Sequence, residues 1–411
     1  MCTAAFVAPD AEAFSNGAFI QPSGLTGGQM FGSAVAIDGN LMAFSTVGIA
    51  PNVPSAVYVF ANVGGTWTQQ AKLAGELDFS LNAFGASLAI QGDTLFVGDG
   101  VAVDDGGFAT GAVFVYKNNN GNWTQQAKLT PAGAPNGAHF GGQFFHNALR
   151  ISGNTLFVGA PDDDAPAGRT GAVYTFVNNS GVWTQQAKIA PDDPTITSFG
   201  TEVAAQNGSL VVGAPLAHSS AGAAFVSTFQ NGQWTHPTAL APLDSGTLLF
   251  GASVSIDGNL AAVGAPFVNA AYVYANNNGV WSPQARVADP ASDDDYTGTF
   301  GESLALIGNT LLVAAYEDFS PLDGTPTGVG YLFTQSGSSW VPSAQEMAPG
   351  LNGIPDTGSL GLQRFGQNVA VSRSGGPLRF VITAPDWNAP GIDNTNLATH
   401  LDLGEVYTFT Q

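Results

Sequence analysis

The chain has 411 residues, with 10 Lys or Arg against 31 Asp or Glu and a formal net charge of −21. That imbalance excludes nucleic acid and anionic membrane surfaces, whose phosphates are gripped by clustered Lys and Arg; it suits cationic ligands, calcium or simple solubility. Hydrophobic residues make up 44% and charged residues only 10%, so the chain folds around a sizeable core instead of behaving as a disordered acidic polymer.

Cys2 is the only cysteine, which leaves no intrachain disulfide and no Cys-based metal site. Met1-Cys2-Thr3 lacks the basic and apolar regions of a signal peptide. No apolar run approaches the roughly 18 residues of a membrane helix.

Along the chain, a Phe-Gly pair recurs at Phe31, Phe84, Phe140, Phe199, Phe250, Phe300 and Phe365, and each opens a similar unit. The first unit turns at Asp38-Gly39-Asn40 and ends in Trp67-Thr68-Gln69-Gln70-Ala71-Lys72. The second runs through Ser87-Leu88-Ala89-Ile90, turns at Gly92-Asp93, passes Gly111 to Tyr116 and ends at Trp123. The third adds an intact Gly159-Ala160-Pro161 and ends at Trp183. The fourth and fifth keep Gly213-Ala214-Pro215 and Gly264-Ala265-Pro266, with looser endings at Trp234 and Trp281. The sixth turns at Gly308-Asn309 and reaches Trp340. The seventh retains Thr383-Ala384-Pro385 but stops at Tyr407-Thr408-Phe409-Thr410-Gln411, without a Trp segment.

Each unit reads as four short strands, A to D, because apolar and polar residues alternate, β-formers are enriched, and Gly, Asn and Asp punctuate the runs. Four-stranded units at this spacing predict an all-β, seven-bladed β-propeller: one domain spanning 1–411, with antiparallel blades starting near 31, 84, 140, 199, 250, 300 and 365. The missing seventh outer strand has a substitute at the other end of the chain. Phe14 precedes Phe31 by the interval that separates Trp67 from Phe84, so Ala18 aligns with Ala71 and Ile20 with Leu73. Residues 14–22 are therefore expected to complete blade 7 and close the ring, protecting its edges. Lys72, Lys128, Lys188 and Arg286 recur at one strand-D position, which reads as charge blunting an outer edge.

Phe-Gly followed by Gly-Ala-Pro resembles the FG-GAP repeat of integrin α-subunit propellers and their bacterial relatives. The resemblance covers nearly the whole chain and implies a seven-bladed fold, with adhesion or ligand binding as its usual work. Integrin-type repeats often carry a calcium loop, Asp-x-Asp-x-Asp-Gly, between strands A and B. The equivalent turns here, such as Asp257-Gly258-Asn259, hold too few oxygens for the six to eight that calcium takes. No cofactor is expected, and calcium is not expected at the family's positions.

Short A–B and C–D hairpins share one face, whereas long, variable B–C and D–A connections share the other, and that second face is expected to bind. Its candidate ligand-binding residues are Asp99, Asp104, Asp162, Asp164, His218, Tyr316, Asp318, Asp386 and Trp387, a set of carboxylates and aromatics suited to a divalent cation such as calcium or to sugar hydroxyls and sugar faces. Solvated loops are the alternative reading of these Asp runs. At the ring centre, most residues after Phe-Gly are small; Gln143, Thr201-Glu202, Glu302 and Gln367-Asn368 are larger and expected to line a pocket. Glu302 is the candidate there. Glu202 and Glu302 stand at different repeat positions and, by strand alternation, are expected to point different ways.

No His-x-His, His-Glu-x-x-His, Gly-x-Ser-x-Gly or phosphate-binding loop is present. The expected function is non-enzymatic binding or adhesion to a carbohydrate or protein by a secreted or cell-surface monomer. The alternatives are an enzyme (lyase, hydrolase or cyclase) using carboxylates on the same face or in the central pocket, or a purely structural role.

Overall fold

Each Phe-Gly pair opens one four-stranded antiparallel sheet in the computed structural model, and the seven sheets form a ring. The structure describes residues 15–20, 22, 23, 25, 29–48, 54–75, 83–143, 146–165, 168–290, 299–316, 328–347, 365–374, 376–385 and 405–410. Blade 2 is typical: Leu88–Gln91, Thr94–Asp99, Ala112–Asn119 and Asn122–Leu129 are strands A to D, from the axis outward. The seven strands A neighbour one another in an unbroken cycle. In blade 7, Asn368–Ser372 lies against both Ser303–Ile307 of blade 6 and Gln29–Asp38 of blade 1.

Ser15–Ile20 pairs with Glu405–Thr410 as the outer strand of blade 7. The register matches the sequence alignment. Ala18 opposes Thr408 and Ile20 opposes Val406, as Ala71 opposes Val59 and Leu73 opposes Val57 in blade 1. Even the bulge that follows the outer Trp in other blades is reproduced. Phe14 lies outside the described residues.

The repeated motif has a mechanical meaning. Each Phe is at most 1% exposed, and those of blades 1 to 6 pack edge-on against strand C, as Phe140 does on Tyr174 with ring centroids 5.5 Å apart. Such burial stabilises by about 1.5–3 kcal/mol per ring. The following Gly donates its N–H to the Gly of Gly-Ala-Pro within its own blade, as in Gly141 to Gly159 (3.0 Å) and Gly251 to Gly264 (2.9 Å). It also presses its carbonyl against that Gly in the preceding blade. A Cβ on Gly98, Gly159, Gly213 or Gly264 would lie 1.9–2.1 Å from the next blade's Phe-Gly carbonyl oxygen. At the other three seams the preceding blade supplies Ser45, Ala314 or Thr383, and only the Phe-Gly glycine makes room. One missing Cβ per seam lets adjacent blades close on each other.

The outer strands add a second lock. Trp183 packs edge-on against Phe96 of blade 2 at 5.2 Å, and Trp234 against Phe157 of blade 3 at 5.3 Å. The recurring strand-D cation does more than blunt an edge. Lys72, Lys128 and Lys188 lie over the rings of Tyr58, Phe114 and Tyr174 at 5.2–5.5 Å, contacts worth about 0.5–2 kcal/mol each. Arg286 instead pairs with Asp244 at 2.8 Å.

Candidate functional site

The loop-face mouth of the ring is a polar cavity of about 50 Å³. Its walls are the starts of strands A, with Ala34, Val35, Val254, Leu304 and Val369 forming the apolar part. Register alignment places Asn147, Glu302 and Gln367 at one repeat position in blades 3, 6 and 7, where other blades carry Ser33, Ala86, Thr201 and Ala252. Glu202 of blade 4 occupies the next position and is 8% exposed. Both glutamates line this one cavity, contrary to the alternation argument. The reason is local. Glu302 precedes strand A in a turn closed by its N–H bond to the Thr299 carbonyl (2.9 Å), where the two-residue period of extended backbone does not hold.

His146 completes the cavity. Blade 3 carries five extra residues between Phe-Gly and strand A: Leu149 follows Gly141 by eight positions, whereas Leu88 follows Gly85 by three. That insertion delivers His146 and Asn147 to the axis. His146 Nδ1 lies 3.6 Å from a Glu202 oxygen, which also accepts the Asn147 backbone N–H at 2.6 Å. The ring is partly accessible at the mouth yet surrounded by protein. Burial alone would lower its pKa, but contact with Glu202 and the charges of Glu202 and Glu302 outweigh this and hold it above the usual 6.5. The insertion length was the available sequence signal for His146; motif searches for histidine pairs could not find it.

Deeper in the ring, Arg150 stands where the other six blades have Ala36, Ala89, Ala204, Ser255, Ala305 and Ala370. Surrounding protein lowers its pKa, opposed by the charges of Asp257 and Asp38 at the A–B ends of blades 5 and 1. Its charge thus belongs to the opposite end of the lumen. Asp38 and Asp257 also bridge neighbouring A–B turns by accepting the N–H of Gly92 (2.7 Å) and Gly308 (2.5 Å).

The other sequence candidates distribute around the loop face. Asp99 is 7% exposed and accepts the Val101 N–H at 3.2 Å; Asp104 accepts those of Gly106 and Phe108, both at 2.9 Å. These two carboxylates organise their own loop. Asp162 accepts His139 Nδ1 (2.7 Å) and the Gln143 side-chain amide, which places Gln143 in this loop cluster and outside the cavity lining. Between Asp162 and Asp164, Asp163 is fully buried and accepts Tyr174 Oη and Lys188 Nζ (2.6 Å). Burial and this carboxylate push the Tyr174 pKa far up. Asp164 sits in a two-residue strand, Asp164–Ala165, paired with Gly168–Arg169. His218 is exposed in left-handed backbone (φ 52°), and its charge helps to hold Asp193 low, after the hydrogen bonds from Thr195. Tyr316 directly follows strand B of blade 6. Asp318, Asp386 and Trp387 lie outside the described residues.

The family model for the FG-GAP repeat matches residues 123–176 and 183–227, each stretch running from one blade's outer Trp strand into strand C of the next. The remaining blades repeat the same seam. The matched stretches are FG-GAP repeats, set in a seven-bladed propeller. No curated protein matches it significantly.

In this FG-GAP propeller a larger recess, about 360 Å³, opens on the rim between the outer strands of blades 3 and 4. It exists because the outer strand of blade 4 is divided into Gln233–Trp234 and Thr238–Ala239, with Pro237 between them. Its charged side chains already have partners, Lys188 with Asp163 and His236 with Asp192 (3.0 Å). The smaller ring mouth is the better candidate despite its size, because two unpartnered buried oxygens, Asn147 Oδ1 and Gln367 Oε1, meet there beside two carboxylates, whereas the recess offers one such atom, Trp234 Nε1. Among the described residues, no three His, Cys, Asp or Glu side chains converge to hold a metal ion.

Proposed function

We propose that this FG-GAP propeller is a non-enzymatic binding module that engages a carbohydrate or protein through its B–C/D–A face, centred on the ring mouth. One observation carries the reading: on that face, polar residues from blades 3, 4, 6 and 7 replace small residues and meet around a cavity. A purely structural ring gains nothing from gathering buried acceptors at its axis, since each costs free energy when left unpaired. Asp162 with His139, and the exposed His218, extend the surface outward as further contact points. FG-GAP repeats are typical of extracellular proteins, which supports secretion or surface display. Among the described residues, no helix is long and apolar enough to cross a membrane.

The His146–Glu202 pair invites an enzymatic reading. Its cavity of about 50 Å³ is far below the roughly 300–1,000 Å³ of clefts that enclose a small-molecule substrate. Binding fits better.

The test is a parallel screen of glycans and cell-surface proteins against wild type, Glu302→Ala and Asp162→Ala. A partner held by wild type and weakened at least about tenfold, or roughly 1.4 kcal/mol, by either variant supports the reading. Indifference to both substitutions, or silence across both ligand classes, overturns it.

A further inference from the structure

The ring mouth gathers more hydrogen-bond acceptors than its own donors engage. Two of its donors are committed to the backbone. Ser253 Oγ donates to the Gly301 carbonyl (2.7 Å), and Asn368 Nδ2 donates to the carbonyls of Gly32 and Ser33 (3.3 and 3.0 Å). Two neutral acceptors are not: Gln367 is 8% exposed, lines the cavity, and its Oε1 has no hydrogen-bond partner; buried Asn147 Oδ1 has none either. Two carboxylates, Glu202 and Glu302, stand in the same wall. An unpartnered buried carbonyl oxygen costs about 1–3 kcal/mol, so the site is built for something that donates.

We propose that the ring mouth is a receptor for a primary ammonium group projecting from the bound ligand. The inference rests on the binding reading above and names the group recognised. A cavity of about 50 Å³ admits an ammonium and a methylene or two, since about 10–15 Å³ of such space is enough to hold one water-sized group. The acceptors come from four blades spaced around the axis, so they surround an entering group. A tetrahedral –NH₃⁺ with three diverging donors fits that arrangement; a planar guanidinium directs its five donors into a single plane. The two carboxylates supply the counter-charge, and Arg150, whose charge faces Asp38 and Asp257, is at the other end of the lumen. His146 is the titratable cation that faces Glu202 and Glu302. An entering ammonium takes over its electrostatic role.

The experiment is ligand-observed NMR on the full chain with Nα-acetyl-lysine methylamide, the norleucine derivative that lacks only the ε-amino group, the arginine derivative and glucosamine. Saturation transfer to the lysine probe, absent with norleucine and reduced at least tenfold in affinity by Glu302→Gln, is the expected result. A stronger glucosamine response identifies an amino sugar as the source of the same ammonium. Equal responses from lysine and norleucine probes overturn the proposal, as does tighter binding of the arginine probe. Gln367→Leu provides a second variant that keeps both charges; it weakens the lysine probe if the neutral acceptor takes part, and an unchanged affinity counts against the site. Should the lysine probe fail while a screened partner still depends on Glu302 or Asp162, the ammonium proposal falls and the binding reading stands.

Discussion

At the seams between blades, a glycine of one blade meets a residue no larger than Thr in its neighbour, and the same contact recurs seven times around the ring. At the loop-face mouth, a few Å away on the same strands, four blades depart from the repeat with long polar residues that no other blade shares. The seams are built from what the repeats have in common; the mouth is built from their exceptions. In a repeat protein each unit contacts chiefly its neighbours, so a shared position is constrained by both adjoining blades. A residue pointing at the axis is released from that constraint, and chemical individuality can collect there.

The largest expected effect falls on the seam. Gly159→Ala drives a Cβ to within 1.9 Å of the Gly200 carbonyl, a backbone atom that cannot rotate away. A loss of about 3 kcal/mol or more in chemical denaturation is expected, at the upper end of overpacking costs. The seam between blades 6 and 7 already carries Ala314, and Ala314→Gly should cost about 1 kcal/mol or less. If Gly159→Ala stays within 1 kcal/mol of wild type, the seam does not depend on the missing Cβ.

A smaller effect separates two adjacent aspartates. Asp163 is fully buried between Tyr174 and Lys188, whereas its neighbour Asp162 is partly exposed on the loop face. Asp163→Ala leaves the Lys188 ammonium and the Tyr174 hydroxyl without their acceptor. The full penalty for orphaning a buried charge is about 3–5 kcal/mol, and the partial exposure of Lys188 reduces it to about 2 kcal/mol. Asp162→Ala should cost less than about 1 kcal/mol in the same denaturation experiment. Equal losses would show that the two carboxylates share one structural task and would remove Asp162 from the binding surface.

The scaffold was legible because its physics repeats. The Phe-Gly spacing, the Asn/Gly hairpins and the alignment of Ala18 with Ala71 all report positions that seven blades must fill alike, so the ring and its closing strand could be read directly. The mouth was only half legible. Glu302 and Gln367 stood out as long residues where small ones recur, but the relative direction of Glu202 and Glu302 was misjudged because one lies in a turn and the other in a strand. His146 was hidden by a five-residue insertion, since a lone histidine has no motif and its place at the axis depends on where that loop folds. The strand-D cations were recognised as structural, while the rings beneath them belong to strand C, far enough along the chain that no local pattern connects the two.

The subtlest effect sets stability against binding at the mouth. Glu202 and Glu302 raise the His146 pKa against the opposing pull of burial, so the folded chain prefers protonated His146 more than the unfolded chain does. The resulting stabilisation is fully present below the usual 6.5 and is lost as the pH rises through the raised folded value. Stability measured across that window should therefore fall with rising pH, and His146→Gln should remove this part of the slope. His139 and His236 also have carboxylate neighbours, so the difference between wild type and variant is the informative quantity, not the raw profile. Binding of the lysine probe should move the opposite way. A protonated His146 neutralises the carboxylates that an ammonium requires, so probe affinity should rise over the same pH window in wild type and stay nearly level in His146→Gln. If stability and affinity rise together, the proton and the ammonium are not competing for the same two glutamates, and the mouth is not the place where the ligand's charge is read.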